Sequence, residues 1–358
     1  MAQFNDIVSK KTERLKPALG IVVRGMKEYM TKDSTVYASS VEKNFRERYL
    51  RWDERTSAII KIQSKSLDSI RDFYRKEGFI EILAPVIDFV INPGERVASQ
   101  VGFEYCGVNY HIIGSMILYK QLAITGIDRM YTLSPCVRLE PEKTIKANKH
   151  LLEFYQADCE AVDVPMEKMM DIGERLLVTV CKDVKKKCSA ELKEIGSNFK
   201  VPRKPFKVVP YSEIKEEARL LGYDVEGEVS PNAEVEISKK HDDPFWITAY
   251  PIRARDYFYR EDPEHPGMSR SFDLIFPKGF GEGISGAERE TDYDRIEKNI
   301  RAHDEKPEKY GWYMEMIKNG VPMSSGFGIG VERLTRFITN APEIWECAAF
   351  PKLPGIKI

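Results

Sequence analysis

Two arginines in this sequence each lie close to a glutamate, and the residues around them suit a polyanionic ligand. Arg138 is followed by Glu140, and Arg333 is preceded by Glu332. Alternating glycines come before the second pair: Gly326, Gly328 and Gly330. A guanidinium offers parallel N–H donors to two phosphate oxygens, and glycine lets a backbone approach a ligand closely. The pattern favours a phosphate-binding site, with a surface ion pair between Arg138 and Glu140 as the alternative.

A third stretch, residues 281–289, brings further oxygen donors. It contains Glu282 and Ser285, and Asp273 comes shortly before it. Two carboxylates that converge on a nucleotide would hold Mg²⁺ through oxygen, with phosphate oxygens completing the coordination shell. A turn with ordinary surface charges is the alternative.

Composition excludes several classes of protein. The chain has 358 residues, 42% of them hydrophobic, and a net charge of -1. This balance argues against broad electrostatic binding to nucleic acid. The six cysteines include no CxxC pair, so free thiols in a reducing cytoplasm are expected. A run of about 18 apolar residues, as a membrane span requires, does not occur. We therefore predict a cytoplasmic protein that does not bind membranes.

Apolar periodicity predicts the elements that must position these residues. Helices are predicted over 56–77, 165–195 and 331–338, and strands over 79–87, 131–135 and 155–162. The last two strands flank a charged loop, which is typical of an antiparallel sheet that presents ligands on one face. Residues 1–55 are predicted to form a small helical extension.

The arginine-containing segments resemble motifs 2 and 3 of class II aminoacyl-tRNA synthetases of the aspartyl/asparaginyl branch. Motif 2 is matched by Arg138-Leu139-Glu140 with the downstream His150 and Glu153-Phe154, and motif 3 by residues 326–333. The resemblance covers about residues 48–358. It implies a catalytic domain over 56–358 with a mixed α/β fold, an antiparallel sheet flanked by helices. It also implies a homodimer, whose interface would use the helix, glycine and strand around Gly78.

The resemblance also implies that the ligands are ATP and Mg²⁺. Arg138 would hold the α-phosphate, Phe154 would stack on adenine, and Arg333 would cover the opposite face of the base. Glu282 and Ser285 would bind the metal, with Asp273 assisting. The full set of nucleotide contacts predicted in this way is Arg138, Leu139, Glu140, His150, Phe154, Glu282, Gly328, Gly330 and Arg333.

Residues 115–121 resemble the segment of aspartyl-tRNA synthetases that recognises the amino acid. Lys120 falls on the lysine that binds the aspartate carboxylate, and Arg289 resembles the arginine that grips a substrate carboxylate. Ile117 stands where that family has glutamine, so one polar contact, assigned to the ammonium group, is lost. The predicted substrate contacts are Ser115, Lys120, Arg289, Ser285, Gly286 and Glu95, the last for the ammonium group. The predicted catalytic residues are Arg138, Arg333 and Lys120.

Fewer than 60 residues precede the predicted catalytic domain, where aspartyl- and asparaginyl-tRNA synthetases carry an anticodon-reading barrel. Together with residues 115–124, 244–247 and 350–356, this resembles the archaeal asparagine synthetases related to asparaginyl-tRNA synthetase. The two cations Lys120 and Arg289 suit the two carboxylates of aspartate.

The reaction implied is therefore asparagine biosynthesis from aspartate, ammonia and ATP through an aspartyl-adenylate, releasing AMP; tRNA is not expected as a partner. The alternatives are a tRNA synthetase for Asp or Asn, a ligase with another amine acceptor, and a non-catalytic nucleotide-binding paralogue.

Overall fold

The computed structural model describes residues 39–90, 101–140, 150–225, 229–353 and 356, and the chain divides into two compact units. Within the described residues, helix α1 (Ser39–Leu50) belongs to the first unit. The second unit runs from Arg51 to Pro354 and contains the candidate site. Most of the predicted extension, residues 1–38, lies outside the described residues, so the division at residue 55 stays a prediction.

The second unit is built from a large sheet, a small sheet and the helices packed on them. The strands are β1 (Ile80–Glu81), β2 (Ile87–Asp88), β3 (Gly102–Tyr105), β4 (Val108–Ile112), β5 (Arg129–Val137), β6 (Glu153–Val162), β7 (Lys207–Pro210), β8 (Phe245–Thr248), β9 (Ser271–Phe276), β10 (Gly281–Glu288) and β11 (Ser324–Gly330). The helices are α2 (Glu54–Lys76), α3 (Ile117–Ala123), α4 (Met166–Lys187), α5 (Ser189–Glu194), α6 (Tyr211–Leu220), α7 (Pro231–Ser238), α8 (Tyr293–Ala302), α9 (Gly311–Lys318) and α10 (Val331–Thr339).

The large sheet has eight strands in the order β1-β5-β6-β11-β10-β9-β8-β7. Its six inner strands pair antiparallel, and the outermost strands β1 and β7 pair parallel to their neighbours. The small sheet has the order β2-β4-β3. The predicted antiparallel sheet flanked by helices is confirmed.

Side chains alternate between the two faces of the inner strands, and this alternation decides where the site can form. Ala157 and Cys159 of β6 and Phe327 and Ile329 of β11 join one apolar core with residues of α2, α4 and α10. The residues between them point to the opposite face, since successive side chains of a strand alternate. That face carries the polar residues described below.

Helix α2 follows the predicted pattern closely. Asp53 caps its first turn by accepting a hydrogen bond from the Thr56 backbone N–H at 2.7 Å. Gly78, with φ of +79°, follows its end. The strand predicted over 79–87 is shorter than expected, only β1 and β2, because Pro85 lacks an N–H for pairing. The helix predicted over 165–195 is interrupted at Cys188.

Strand β10 contains a β-bulge at Gly283. Glu282 lies opposite Ile275, and Ile284 lies opposite Leu274. Strand β10 therefore has one residue more than β9 between these two pairs. A Cβ atom at Gly283 would lie 2.2 Å from the Phe276 ring. Glycine is therefore required where the extra residue is accommodated.

Two smaller expectations concern cysteines and membranes. All six cysteines are free, and only Cys106 is exposed. Among the described helices, none combines the length and apolar character needed to cross a bilayer.

Candidate active site

A cleft of about 560 Å³, part of it open to solvent, lies between β6, β10, β11 and the start of α10. Most of the residues predicted to contact a nucleotide line it: Arg138, Glu140, His150, Phe154, Glu282, Gly328, Gly330 and Arg333. Ser285 lines it as well, whereas Leu139 does not. The structure therefore brings together residues that are almost 200 positions apart in sequence.

Arg138 lies at the end of β5, on one wall of the cleft. Its Nε donates a hydrogen bond to the Gly114 carbonyl oxygen at 3.0 Å. The guanidinium carbon lies 5.2 Å from the centroid of the Phe154 ring. These contacts hold a cation beside an aromatic face, which is the pairing that a phosphate next to a flat base would need.

Glu140 lies close to both arginines of the cleft. The Nδ1 of His150 is 3.4 Å from its Oε1. Burial acts to raise the pKa of Glu140, but the hydrogen bond of His150 and the charges of Arg138 and Arg333 outweigh it and lower the pKa. Glu140 is therefore ionised at neutral pH and partly balances the positive charge.

Arg333, in the first turn of α10, crosses the cleft to β10. Its Nη1 donates to the Glu282 carbonyl oxygen at 3.1 Å and to Glu282 Oε1 at 2.9 Å. The neighbouring Glu332 is buried in the wall, and its Oε2 accepts a hydrogen bond from the Tyr155 N–H at 3.0 Å. Burial raises the pKa of Glu332 to about 7. This carboxyl thus ties motif 3 to the strand of motif 2.

Glu282 and Ser285 offer two oxygen donors to the same cleft. The third predicted ligand, Asp273, is not part of the lining; its Oδ2 accepts from Arg255 Nη2 at 2.5 Å. The described residues contain no group of three or more His, Cys, Asp or Glu side chains that could enclose a metal. Two protein oxygens suit Mg²⁺, which usually takes one or two carboxylates with phosphates and water.

The predicted substrate cations converge deeper in the fold, on two carboxylates of β6. Lys120 Nζ lies 3.1 Å from Asp158 Oδ1 and 3.6 Å from Glu160 Oε2. Arg289 donates from Nε and Nη2 to the two carboxylate oxygens of Glu160, each at 2.9 Å. Burial acts to raise the pKa of Glu160, and the charges of Arg289 and Lys120 outweigh it and lower the pKa. We call these four residues the charge cluster.

Asp158 and Glu160 were not predicted from sequence. Both fall within the predicted strand 155–162, where Gln156, Asp158 and Glu160 recur with period two. Acidic side chains at alternate positions of a buried strand are a signal, because a buried charge needs a partner. That signal indicates buried charges in this strand, but it does not identify Lys120 and Arg289 as their partners.

The glycines of β11 lie directly opposite these polar side chains. Gly326 pairs with Glu160 and Gly328 with Asp158. A Cβ atom at Gly326 would lie 2.1 Å from the Cys159 carbonyl oxygen, and one at Gly328 would lie 2.8 Å from Asp158 Oδ1. Gly326 and Gly328 therefore make room for the charge cluster, and Gly328 also lines the cleft, where close approach to a ligand is predicted.

The other predicted substrate contacts lie in different surroundings. Ser115 Oγ accepts from the Ile117 N–H at 3.3 Å, at the start of α3. Gly286 is not in the cleft lining, and a Cβ atom there would lie 2.6 Å from the Gly326 carbonyl oxygen and the Phe272 ring. Glu95 lies outside the described residues.

Comparison with known proteins gives consistent matches. The model of the family described as tRNA synthetases class II (D, K and N) matches residues 40–354. The asparagine–tRNA ligase of Thermoplasma acidophilum is 29% identical over 312 residues, which cover 86% of this chain and 71% of that protein. The aspartate–tRNA(Asp/Asn) ligase of Methanothermobacter thermautotrophicus is 32% identical over 304 residues, 83% of this chain and 67% of that protein.

Among solved structures, asparaginyl-tRNA synthetase from Pyrococcus horikoshii complexed with asparaginyl-adenylate is similar with a TM-score of 0.76 and 26% identity. The match covers 85% of this chain and 70% of that chain. The arrangement of the sheet and helices is therefore that of a class II synthetase core.

Proposed function

Because the chain belongs to the class II tRNA synthetases of the D, K and N group, we propose that it uses ATP to activate the carboxylate of an amino acid, namely aspartate. The observation that carries this proposal is the adjacency of two sites on one sheet face. Strands β6, β10 and β11 bear the nucleotide cleft with Arg138 and Arg333 and, beside it, the buried cations Lys120 and Arg289.

In the proposed reaction a carboxylate oxygen of aspartate attacks the α-phosphorus of ATP. The bond to the β-phosphate breaks, and pyrophosphate leaves with the electron pair. Arg138 and Arg333 offset the charge that develops on the phosphates, and holding both substrates on one sheet face supplies proximity. Mg²⁺ held by Glu282 and Ser285 would add further charge neutralisation.

Aspartate is proposed because Lys120 and Arg289 place two cations beside the nucleotide cleft, one for each carboxylate of this amino acid. Lys120 Nζ donates to Asp158 Oδ1 at 3.1 Å and to the Cys159 carbonyl oxygen at 3.4 Å. Its third donor is available to a substrate carboxylate because Glu160 Oε2, at 3.6 Å, is beyond hydrogen-bond range. With asparagine bound, Lys120 would keep a counter-charge, since Asp158 pairs with it at 3.1 Å. Comparison of aspartate with asparagine as substrates therefore tests this choice.

The acceptor that the relatives favour is tRNA. Both curated relatives named above are tRNA ligases, which conflicts with the expectation that tRNA is not a partner. We therefore propose tRNA first and ammonia second. Ammonia as acceptor requires activation of the side-chain carboxylate and therefore a reversed aspartate. Ile117, in an apolar cluster with Phe258, lacks the polar contact of a glutamine that would oppose this orientation.

Two assays test these proposals in order. Aspartate-dependent exchange of pyrophosphate into ATP tests activation, with asparagine and lysine as parallel substrates. Exchange with asparagine alone would overturn the choice of aspartate, and no exchange with any of the three would overturn activation. Labelled aspartate with total tRNA or with ammonium then identifies the acceptor. Aminoacyl-tRNA supports the first acceptor, and free asparagine with AMP supports the second.

We also propose the expected homodimer. The segment around β1 and β2 exposes apolar side chains, with Leu83 91% and Phe89 62% exposed. Exposed apolar residues concentrated in one short segment mark an interaction surface. Light scattering tests this directly, and a monomeric mass would overturn it.

A further inference from the structure

We propose that Asp88 forms a binding site for a primary ammonium group beside helix α3. The ligand is either the α-ammonium group of the amino acid or a free ammonium ion. This inference deepens the proposed function and depends on it for the identity of the ligand. It starts from a buried carboxylate that the activation chemistry does not use.

Asp88 is wholly buried at the end of β2, and one of its carboxylate oxygens is satisfied. Oδ1 accepts from the Tyr119 hydroxyl at 3.0 Å and from the Val90 N–H at 3.1 Å. Oδ2 is buried and accepts no hydrogen bond from any described residue. An unsatisfied carboxylate oxygen in the interior is costly, so its presence calls for a donor supplied by a ligand.

The described part of the chain supplies little positive charge next to Asp88. His111 lies opposite Asp88 in the pairing of β2 with β4, and no described lysine or arginine forms an ion pair with Asp88. Burial raises the pKa of Asp88, while the backbone N–H groups of Val90 and Phe89, the Tyr119 hydroxyl and the charge of His111 offset part of that effect. A cation bound at Oδ2 would complete the charge balance.

Aromatic residues complete surroundings that suit an ammonium group. The Tyr119 ring lies 5.3 Å from the ring of Trp312 in α9. The faces of tryptophan and tyrosine attract cations, most strongly where water is excluded. The Trp312 Nε1 is also buried without a hydrogen-bond partner among the described residues, so a second polar atom beside Tyr119 is unsatisfied.

The position of Asp88 relates this site to the amino-acid pocket. Tyr119 directly precedes Lys120, whose ammonium group belongs to the charge cluster. Val90 and Ile117 pack in one apolar cluster, so Asp88 lies beside the part of α3 where the expected glutamine is missing. Asp88 therefore supplies an acceptor near the position that lost one.

The test compares Asp88→Asn with Tyr119→Phe. Asp88→Asn removes the negative charge at constant shape, whereas Tyr119→Phe removes only one donor to Oδ1 and serves as the matched control. We expect Asp88→Asn to raise the KM of the ammonium-bearing substrate about 10- to 100-fold, because a charge-assisted hydrogen bond is lost. The KM for ATP should not change, and Tyr119→Phe should have a smaller effect.

Two assays distinguish the sources of the ammonium group. A higher KM for aspartate in pyrophosphate exchange identifies the α-ammonium group. A higher KM for ammonium in asparagine formation, with exchange unchanged, identifies the free ion. Unchanged KM values in both assays, or a lower melting temperature with unchanged KM values, would overturn the proposal and leave Asp88 a structural residue.

If the wild-type protein activates no amino acid, the proposed function fails while this site can still be tested. Thermal stabilisation by aspartate or ammonium chloride, relative to sodium chloride, is then measured in both proteins. Stabilisation that Asp88→Asn abolishes supports the site. Equal stabilisation of both proteins, or none of either, overturns it.

Discussion

The nucleotide cleft and the charge cluster both pair arginine with glutamate, but the two pairs differ in their access to water. In the cleft, Arg333 and Glu282 remain 22% and 30% exposed. In the charge cluster, Arg289 is 3% exposed and Glu160 is fully buried. Exposed ion pairs contribute little to stability, whereas breaking a buried pair leaves an uncompensated charge. Changes at the partly exposed ion pair of the cleft should therefore affect chemistry more than stability, and changes in the charge cluster should affect the fold as well.

The largest effect is expected for Glu160→Gln. This change leaves the buried guanidinium of Arg289 without its counter-charge, so the free energy of unfolding should fall by about 3–5 kcal/mol. Urea unfolding followed by circular dichroism measures it. Glu297→Gln, in the surface pair with Arg301, is the matched control and should change the midpoint far less. Equal midpoints for Glu160→Gln and the wild type would remove the distinction between the two regions.

The next effect concerns Arg138→Ala in the cleft. Loss of a preorganised cation at the phosphates should lower the rate of pyrophosphate exchange about 10²–10³-fold. Because Arg138 lies in the more open region, the unfolding midpoint should change little. Exchange near the wild-type rate would refute the role of Arg138, and a large loss of stability would show that the cleft resembles the charge cluster.

Glu332 sharpens the comparison because it is a buried carboxyl in the wall of the open cleft. Its pKa of about 7 in the folded state lies above the ordinary value of 4.5. The folded state thus favours the protonated form, and stability is lost as pH rises from about 4.5 to 7. Glu332→Gln removes this loss. We compare the free energy of unfolding of Glu332→Gln with that of the wild type at each pH. This difference should favour the variant by about 1–3 kcal/mol more at pH 8 than at pH 4.

Thermal melts at both pH values measure the effect. Glu305→Gln, a partly exposed carboxyl paired with Lys309 and not among the groups that shift the pKa of Glu332, provides the control. A difference between wild type and Glu332→Gln that does not vary with pH would contradict the raised pKa.

The smallest effect is expected at Gly330, on the cleft side of β11. An added Cβ atom would lie 3.3 Å from the flexible Arg333 side chain, so Gly330→Ala should raise the KM for ATP only a few-fold. The same substitution at Gly326 meets the Cys159 carbonyl oxygen at 2.1 Å and should destabilise the fold by about 1–3 kcal/mol or more. Equal melting temperatures for the two variants would contradict this difference.

Features of the site that are local in sequence were predictable, and those that depend on strand pairing were not. Arg138 and Phe154 belong to one hairpin, and the glycines run directly into Arg333, so short segments placed them in one cleft. Asp158 and Glu160 form the charge cluster only with Lys120 and Arg289, which distant elements of the fold bring next to them. The ion pair of Asp273 with Arg255 was not predicted, because Arg255 lies in a turn that the sequence pattern did not reveal.

The bulge at Gly283 sets the parity of strand β10. In a regular strand, residues three apart point to opposite faces, yet Glu282 and Ser285 both line the cleft. The extra residue shifts the alternation of side chains by one position. Ser285, Ala287 and Arg289 therefore follow the same face as Glu282. A strand without this bulge would keep regular alternation. Glu282 and Ser285 would then point to opposite faces of the sheet. The side-chain oxygens of Glu282 and Ser285 can face one cation because the bulge inserts one extra residue between them.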